Sequence, residues 1–171
     1  VSNDVLDKYL RNINAAVSRA VKLTNLISQY TKLDSQYLPE KVDLASVVAE
    51  VIKANQPVLE KADVVCTTNG PGGISVEGNR AQLGIVLTNL ILNSVDALTS
   101  CSERSITFRW QDSGDWIILT ATDSGTGIPE DILPRIFDTF FSTKPNRGTG
   151  LGLSLSPHLI EMYGGAIRLT S

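Results

Sequence analysis

The sequence has one histidine, His158, and two cysteines, Cys66 and Cys101, in 171 residues. So few nitrogen and sulfur ligands, without a CxxC spacing, exclude a structural zinc site and a Cys-His-Asp nucleophile set. Reduced thiols in a cytosolic compartment are the simplest reading of that cysteine usage. An excess of basic residues is also missing: 15 Lys and Arg stand against 18 Asp and Glu, a net charge of -3. Without a basic stripe, nucleic acid is excluded as a phosphate-contacting partner. Long apolar runs are lacking too. The longest, 83–98, is broken by Thr88, Asn89, Asn93, Ser94 and Asp96, short of the roughly 18 residues a membrane helix needs. Residues 1–10 do not resemble a signal peptide. What remains, 42% hydrophobic and 19% charged residues, describes an ordinary soluble chain with one core and a small appendage.

Residues 3–33 read as one long helix. Leu6, Tyr9, Ile13, Ala16, Ala20, Leu23, Ile27 and Tyr30 follow at alternating steps of three and four, a heptad seam. Such a helix either packs on its own domain or joins a bundle outside it. Its length of about 45 Å at 1.5 Å per residue favours the bundle. Residues 34–41, polar and holding Pro39, read as a linker, and 42–171 as the main domain. There a short extended piece, 42–44, precedes a helix over 45–61. Strands are expected at 64–67 and 74–76, a helix from 79 to about 99, and a hairpin of 106–110 with 116–122. A helix near 159–163 and a last strand at 166–170 follow. Helices interleaved with antiparallel hairpins indicate an α+β fold, a two-layer α/β sandwich, preceded by the long bundle helix.

Three segments carry chemistry. Gln82, Asn89, Asn93 and Asp96 fall at offsets 0, 7, 11 and 14, one polar stripe on an otherwise apolar helix. The stripe either bonds neighbouring loops or supplies oxygen to a hard cation such as Mg²⁺, which keeps most of its waters and binds through substrate phosphates. Asp123-Ser124-Gly125-Thr126-Gly127-Ile128-Pro129 follows a strand. Its glycines permit close backbone approach, and the aspartate can accept from an exocyclic amine, although the same pattern occurs in plain turns. Arg147-Gly148-Thr149-Gly150-Leu151-Gly152 leads towards a helix and can cradle an anion on its amides. It is neither a Walker A loop nor a dinucleotide fingerprint. Between the glycine segments, 136–144 reads as an apolar anchor (Phe137, Phe140, Phe141) with a hinged cover, and offers Lys144 and Arg147 to phosphates.

In this order the segments resemble the catalytic and ATP-binding domain of sensor histidine kinases. That family sits within the gyrase, chaperone, histidine-kinase and mismatch-repair superfamily. Asn89-Leu90-Ile91-Leu92-Asn93-Ser94-Val95-Asp96-Ala97 looks like its N-box, 123–127 and 148–152 its two glycine boxes, and 137–141 its phenylalanine box. By the same resemblance, 1–33 is similar to the second helix of the dimerisation and phosphotransfer hairpin. The resemblance implies ATP and Mg²⁺ as cofactors, with Asp123 on the adenine amine and Asn93 on the metal. It implies Gly125, Gly127, Ile128, Phe137 and Asp96 around the nucleotide, and Lys144, Arg147, Gly148, Thr149, Gly150, Leu151 and Gly152 around its phosphates. Asn89 and Lys144 would complete the catalytic centre. Asn89 stands where hydrolysing relatives carry a Glu that activates water, and an amide is no base. The resemblance therefore implies transfer of the γ-phosphoryl to a histidine rather than to water, with a degenerate nucleotide-binding module or a serine kinase of the same fold as alternatives.

The implied partners are a response regulator receiver domain and a second copy of the chain through the N-terminal helix, in the cytoplasm, with a membrane reached only through other parts of a parent protein. No His-acid phosphoacceptor box occurs, and His158 lies past the second glycine box, so the chain is expected not to label itself. Pro157 is expected to delay or kink the following helix. The family's last Gly-Thr-x-Phe strand is not in the sequence, so the domain is expected to lack it. An unpartnered seam drives association. Sedimentation is expected to show self-association that Leu23→Glu weakens; a strict monomer indifferent to that change would remove the seam.

Overall fold

A computed structural model of the chain describes residues 9, 10, 13, 17, 39–143, 150 and 152–171. Tyr9, Leu10, Ile13 and Val17 are helical and exposed; the rest of the stretch expected to form the N-terminal helix, and residues 34–38, lie outside the described residues. The domain runs β1 (Glu40–Asp43), α1 (Leu44–Lys61), β2 (Val65–Asn69), β3 (Ser75–Gly78) and α2 (Arg80–Ala97), which a 3-10 turn, Leu98–Ser100, extends. Then come β4 (Ser105–Asp112), β5 (Ile117–Asp123), a second 3-10 turn, Leu133–Arg135, and α3 (Gly152–Glu161).

Side-chain oxygens start both long helices. Asp43 Oδ1 accepts from the Ser46 amide at 2.7 Å and Asn79 Oδ1 from the Gln82 amide at 3.0 Å, each satisfying an N–H that the helix leaves without a partner. Along α1, Leu44, Val47, Val48, Val51, Asn55 and Leu59 form the buried face. The buried Asn55 donates to the Val51 carbonyl at 2.9 Å and to Thr88 Oγ1 at 3.4 Å, which joins α1 to α2.

Two sheets result. β1 pairs antiparallel with β3, from Glu40 opposite Gly78 to Asp43 opposite Ser75. β2, β4 and β5 form the second, β2 parallel to β4 and β4 antiparallel to β5. The expected hairpin is present, with Ile106 opposite Asp123 and Asp112 opposite Ile117. On β4 the alternation sends Ile106, Phe108 and Trp110 inwards, where they join Leu44, Val48, Leu87, Ile91 and Leu98 in one core. Helices on one face of the sheet make the α+β sandwich that the pattern predicts. Arg104 closes one end: its guanidinium donates to the carbonyls of Ala62, Cys101 and Thr99 at 2.9, 3.0 and 3.2 Å.

Four expectations need correction. β1 takes in Glu40 and Lys41, read above as linker, because they pair with Gly78 and Glu77. The last helix is Gly152–Glu161, neither delayed to 159 nor broken by Pro157. Proline's φ suits a helix and removes one amide bond, and burial of Ser156 and Leu159 holds the helix around it. Residues 166–170 keep a strand-like alternation, Ile167 and Leu169 half-buried between exposed neighbours, yet form no strand. Finally, residues 80–100 are long and apolar enough by length and composition to cross a membrane. Here that stretch packs against α1 and α3.

Phe108 is wholly buried and Ile118, on the outer face of β5, is 44% exposed. Phe108→Ala is expected to lower stability by about 3–5 kcal/mol in urea unfolding, through lost burial and the cavity left behind, and Ile118→Ala by about 0.5 kcal/mol or less.

Candidate functional site

The polar stripe of α2 divides in two. Gln82 is 1% exposed, and its Oε1 accepts from the Tyr163 hydroxyl just past α3. Burial pushes the Tyr163 hydroxyl pKa up, so it keeps the proton that it donates. Asn89 is half-buried and its Nδ2 donates to the Gly152 carbonyl at 2.8 Å. With Gly152 against Asn89 and Tyr163 against Gln82, α3 lies antiparallel along α2. Asn93 and Asp96 remain exposed, three residues apart and so on one side of the helix. Two oxygen-bearing side chains at that spacing suit a hard cation whose remaining ligands are waters and phosphates. Among the described residues no group of three His, Cys, Asp or Glu could hold a metal on its own.

Asp123 ends β5, opposite the last turns of α2. Its Oδ2 accepts from Ser94 Oγ at 2.7 Å and its Oδ1 from the Gly125 amide at 2.9 Å. A carboxylate has about four acceptor sites, so two bonds orient it and leave it able to accept a third. Asp123 stays exposed, as an incoming donor requires. The Ser124 hydroxyl, which donates to the Glu103 carbonyl at 2.9 Å, fixes the start of this turn. Further on, Gly127 is exposed and Ile128 half-buried, its amide donating to Ser171 Oγ.

The phenylalanine segment meets the second glycine segment through main chain. The Phe140 amide donates to the Gly150 carbonyl at 3.0 Å, with Phe140 at φ 69° and 68% exposed. That left-handed conformation is uncommon for an aromatic residue. Gly150 has φ 65°, and a side chain there would run into the Phe140 backbone, so glycine is needed on both counts. Phe137 is half-buried beside the buried Ile136. Arg135 lies 4.6 Å from the Phe141 ring centroid, a cation–π distance, and 3.6 Å from Asp138.

Of the residues expected from sequence, Asn89, Asn93, Asp96, Asp123, Gly125, Gly150 and Gly152 are carried by α2 and the two segments beside it. Lys144, Arg147, Gly148, Thr149 and Leu151 lie outside the described residues. Two shallow hollows, of about 380 and 350 Å³, lie elsewhere: one between α1 and β2, the other beside the β1–β3 pair. Sequence reasoning gave no role to Ser94 or Tyr163. A serine inside an apolar helix, where it is a poor helix former, was the available sign of the first.

Residues 78–171 match the family described as histidine kinase-, DNA gyrase B-, and HSP90-like ATPase. The sensor-like histidine kinase SenX3 of Mycolicibacterium smegmatis is 29% identical, the alignment covering 99% of this chain and 47% of SenX3. Among solved structures, the Acinetobacter baumannii histidine kinase AdeS superposes with a TM-score of 0.69 at 26% identity, over 100% of this chain and 80% of AdeS. The histidine kinase ThkA, solved in complex with the response regulator protein TrrA, shares the fold, with a TM-score of 0.66 at 24% identity over 96% of this chain and 47% of ThkA. The chain spans less than half the length of the curated relatives that it matches. Because the family match takes in more than half of the chain, from the end of β3 through α2 and both glycine segments, the chain belongs to the histidine kinase-, DNA gyrase B- and HSP90-like ATPase family.

Proposed function

We propose that the chain is the ATP-binding catalytic portion of a two-component sensor kinase, which passes the γ-phosphoryl of Mg·ATP to a histidine on a dimerisation hairpin for relay to a response regulator. The observation that carries this reading is the placement of Asp123. Ser94 and Gly125 hold its carboxylate beside the last turns of α2, the helix that also presents Asn93 and Asp96 and that meets Gly152 through Asn89.

Asp123 accepts from the adenine amino group and sets the orientation of the base. Gly125, Gly127 and Ile128 border it. The first-turn amides of α3, with Gly148, Thr149, Gly150, Leu151 and Gly152 leading into it, address the phosphates through the partial positive charge of a helix start. Lys144 and Arg147 add full positive charge there, and Phe137 anchors the segment that bears them. Asn93, with Asp96 nearby, would hold Mg²⁺, which when bound neutralises phosphate charge. Asn89 cannot take a proton from water, so the chain's contribution is positioning and charge neutralisation, as in phosphoryl transfer generally. The acceptor is not His158, which lies exposed on α3 outside any His-acid box.

The ThkA complex supports a receiver domain as partner, and the heptad seam supports a homodimer through the N-terminal helix. The likeness to sensor kinases supports a cytoplasmic location, with any membrane contact made by other parts of a parent protein.

Two measurements test the proposal. Calorimetric titration with a non-hydrolysable ATP analogue is expected to show binding that Asp123→Asn weakens ten- to hundredfold, since a charge-assisted hydrogen bond contributes about 1.5–3 kcal/mol. Undiminished binding would remove Asp123 from adenine recognition. Incubation with γ-labelled ATP is expected to leave the chain itself unlabelled and to label a separately supplied acceptor hairpin; stable label on His158 would contradict the assignment.

A further inference from the structure

We infer that Asn89 is a positioning residue: through the Gly152 carbonyl it fixes the first turn of α3, and so the direction in which that turn's amides meet a phosphate. The inference rests on the nucleotide-binding reading above and assigns Asn89 a role other than contact with the metal or the reacting groups.

The Asn89 side chain lies half-buried where α2 meets α3, with Nδ2 2.8 Å from the Gly152 oxygen. A carbonyl oxygen only accepts, so the amide must present its nitrogen there, and its orientation is settled by chemistry. The fit is close from the other side as well. A Cβ at position 152 would lie 3.0 Å from Asn89 Oδ1 and 3.3 Å from its Cγ, so glycine at 152 and the amide at 89 work as a pair.

The neighbouring carbonyls are held in the same manner. Gly152 also accepts from Ser156 Oγ at 3.0 Å, and Gly150 accepts from the Phe140 amide at 3.0 Å and from Ser154 Oγ at 3.2 Å. In a helix every C=O points to the C-terminus and every N–H to the N-terminus. Fixing the carbonyls of 150 and 152 therefore fixes where the unpaired first-turn amides emerge. The bond between Tyr163 and Gln82 secures the far end of the helix independently. Loss of the Asn89 bond should free the N-terminal end of α3 and leave the rest in place.

Asn89→Asp removes the donor at nearly constant shape and sets a carboxylate against the Gly152 oxygen. A non-hydrolysable ATP analogue and adenosine would be titrated into the native chain, N89D, N89Q, G152A and the double variant N89D/G152A, in Mg²⁺ and in EDTA. Expected for N89D is a five- to tenfold loss for the analogue, equal in Mg²⁺ and EDTA, with adenosine binding unchanged. N89Q, which retains the donor, should recover part of the loss. The double variant should bind no worse than N89D, because both changes break one contact. A loss confined to Mg²⁺, a gain in Mg²⁺, or additive losses would each overturn the inference. G152A gives the same test from the opposite side should N89D fail to fold. If the native chain binds neither ligand, the nucleotide reading fails, and amide exchange then decides this inference. Faster exchange at 156 and 158, whose amides bond the first-turn carbonyls, in ligand-free N89D supports it, and unchanged exchange there overturns it.

Discussion

α2 is packed by α1 on one side and α3 on another, so polar side chains on those sides must find partners inside the protein. A buried amide left unbonded would cost about 1–3 kcal/mol. Gln82 and Asn89 meet that demand by bonding Tyr163 and Gly152, the two ends of α3. The requirement to satisfy them is therefore also what sets α3 in register along α2. Beyond the start of α3 the stripe emerges, and Asn93 and Asp96 are exposed. One row of side chains thus passes from bonded inside the protein to exposed over about four turns.

That division ties the two glycine segments to a common support. Asp123 is steadied from α2 by Ser94, and Gly152 from α2 by Asn89, five residues away on the same helix. The spacing between the two glycine segments is thus set along α2 itself. The segment between them, by contrast, meets the second glycine segment through the Phe140 amide and the Gly150 carbonyl.

Sequence disclosed the parts whose signal is local. The alternation of 106–110 and 116–122 about Gly114 gave the hairpin, and the apolar spacing from Val47 to Leu59 gave α1. Pairing at long range was not legible: the consecutive strands expected at 64–67 and 74–76 do not pair with each other, β2 joining β4 and β3 joining β1. Pro157 argued against a helix start at 152 because local preference says nothing of the burial of Ser156 and Leu159 that overrides it. At 166–170 a strand was expected and none forms: Ile167 and Leu169 alternate in burial with their neighbours, but a strand also needs a ladder partner, which no side-chain pattern specifies. The stripe on α2 was found, and its division was not, since that depends on which side α3 covers.

Arg104 carries a consequence for the field inside the domain. α1 and α2 both finish beside it, so the two helices run in the same direction and bring two partially negative ends together. Parallel dipoles repel, and a fixed cation at their shared end offsets that repulsion where water is partly excluded. α3, opposed in direction to α2, starts beside Asn89, about two turns before α2 ends. The domain thus treats its helix ends differently: one full positive charge quiets the joint C-termini at Arg104, the side chains of Asp43 and Asn79 accept at the starts of α1 and α2, and the start of α3 is a further positive end, one to which an anionic ligand would be drawn.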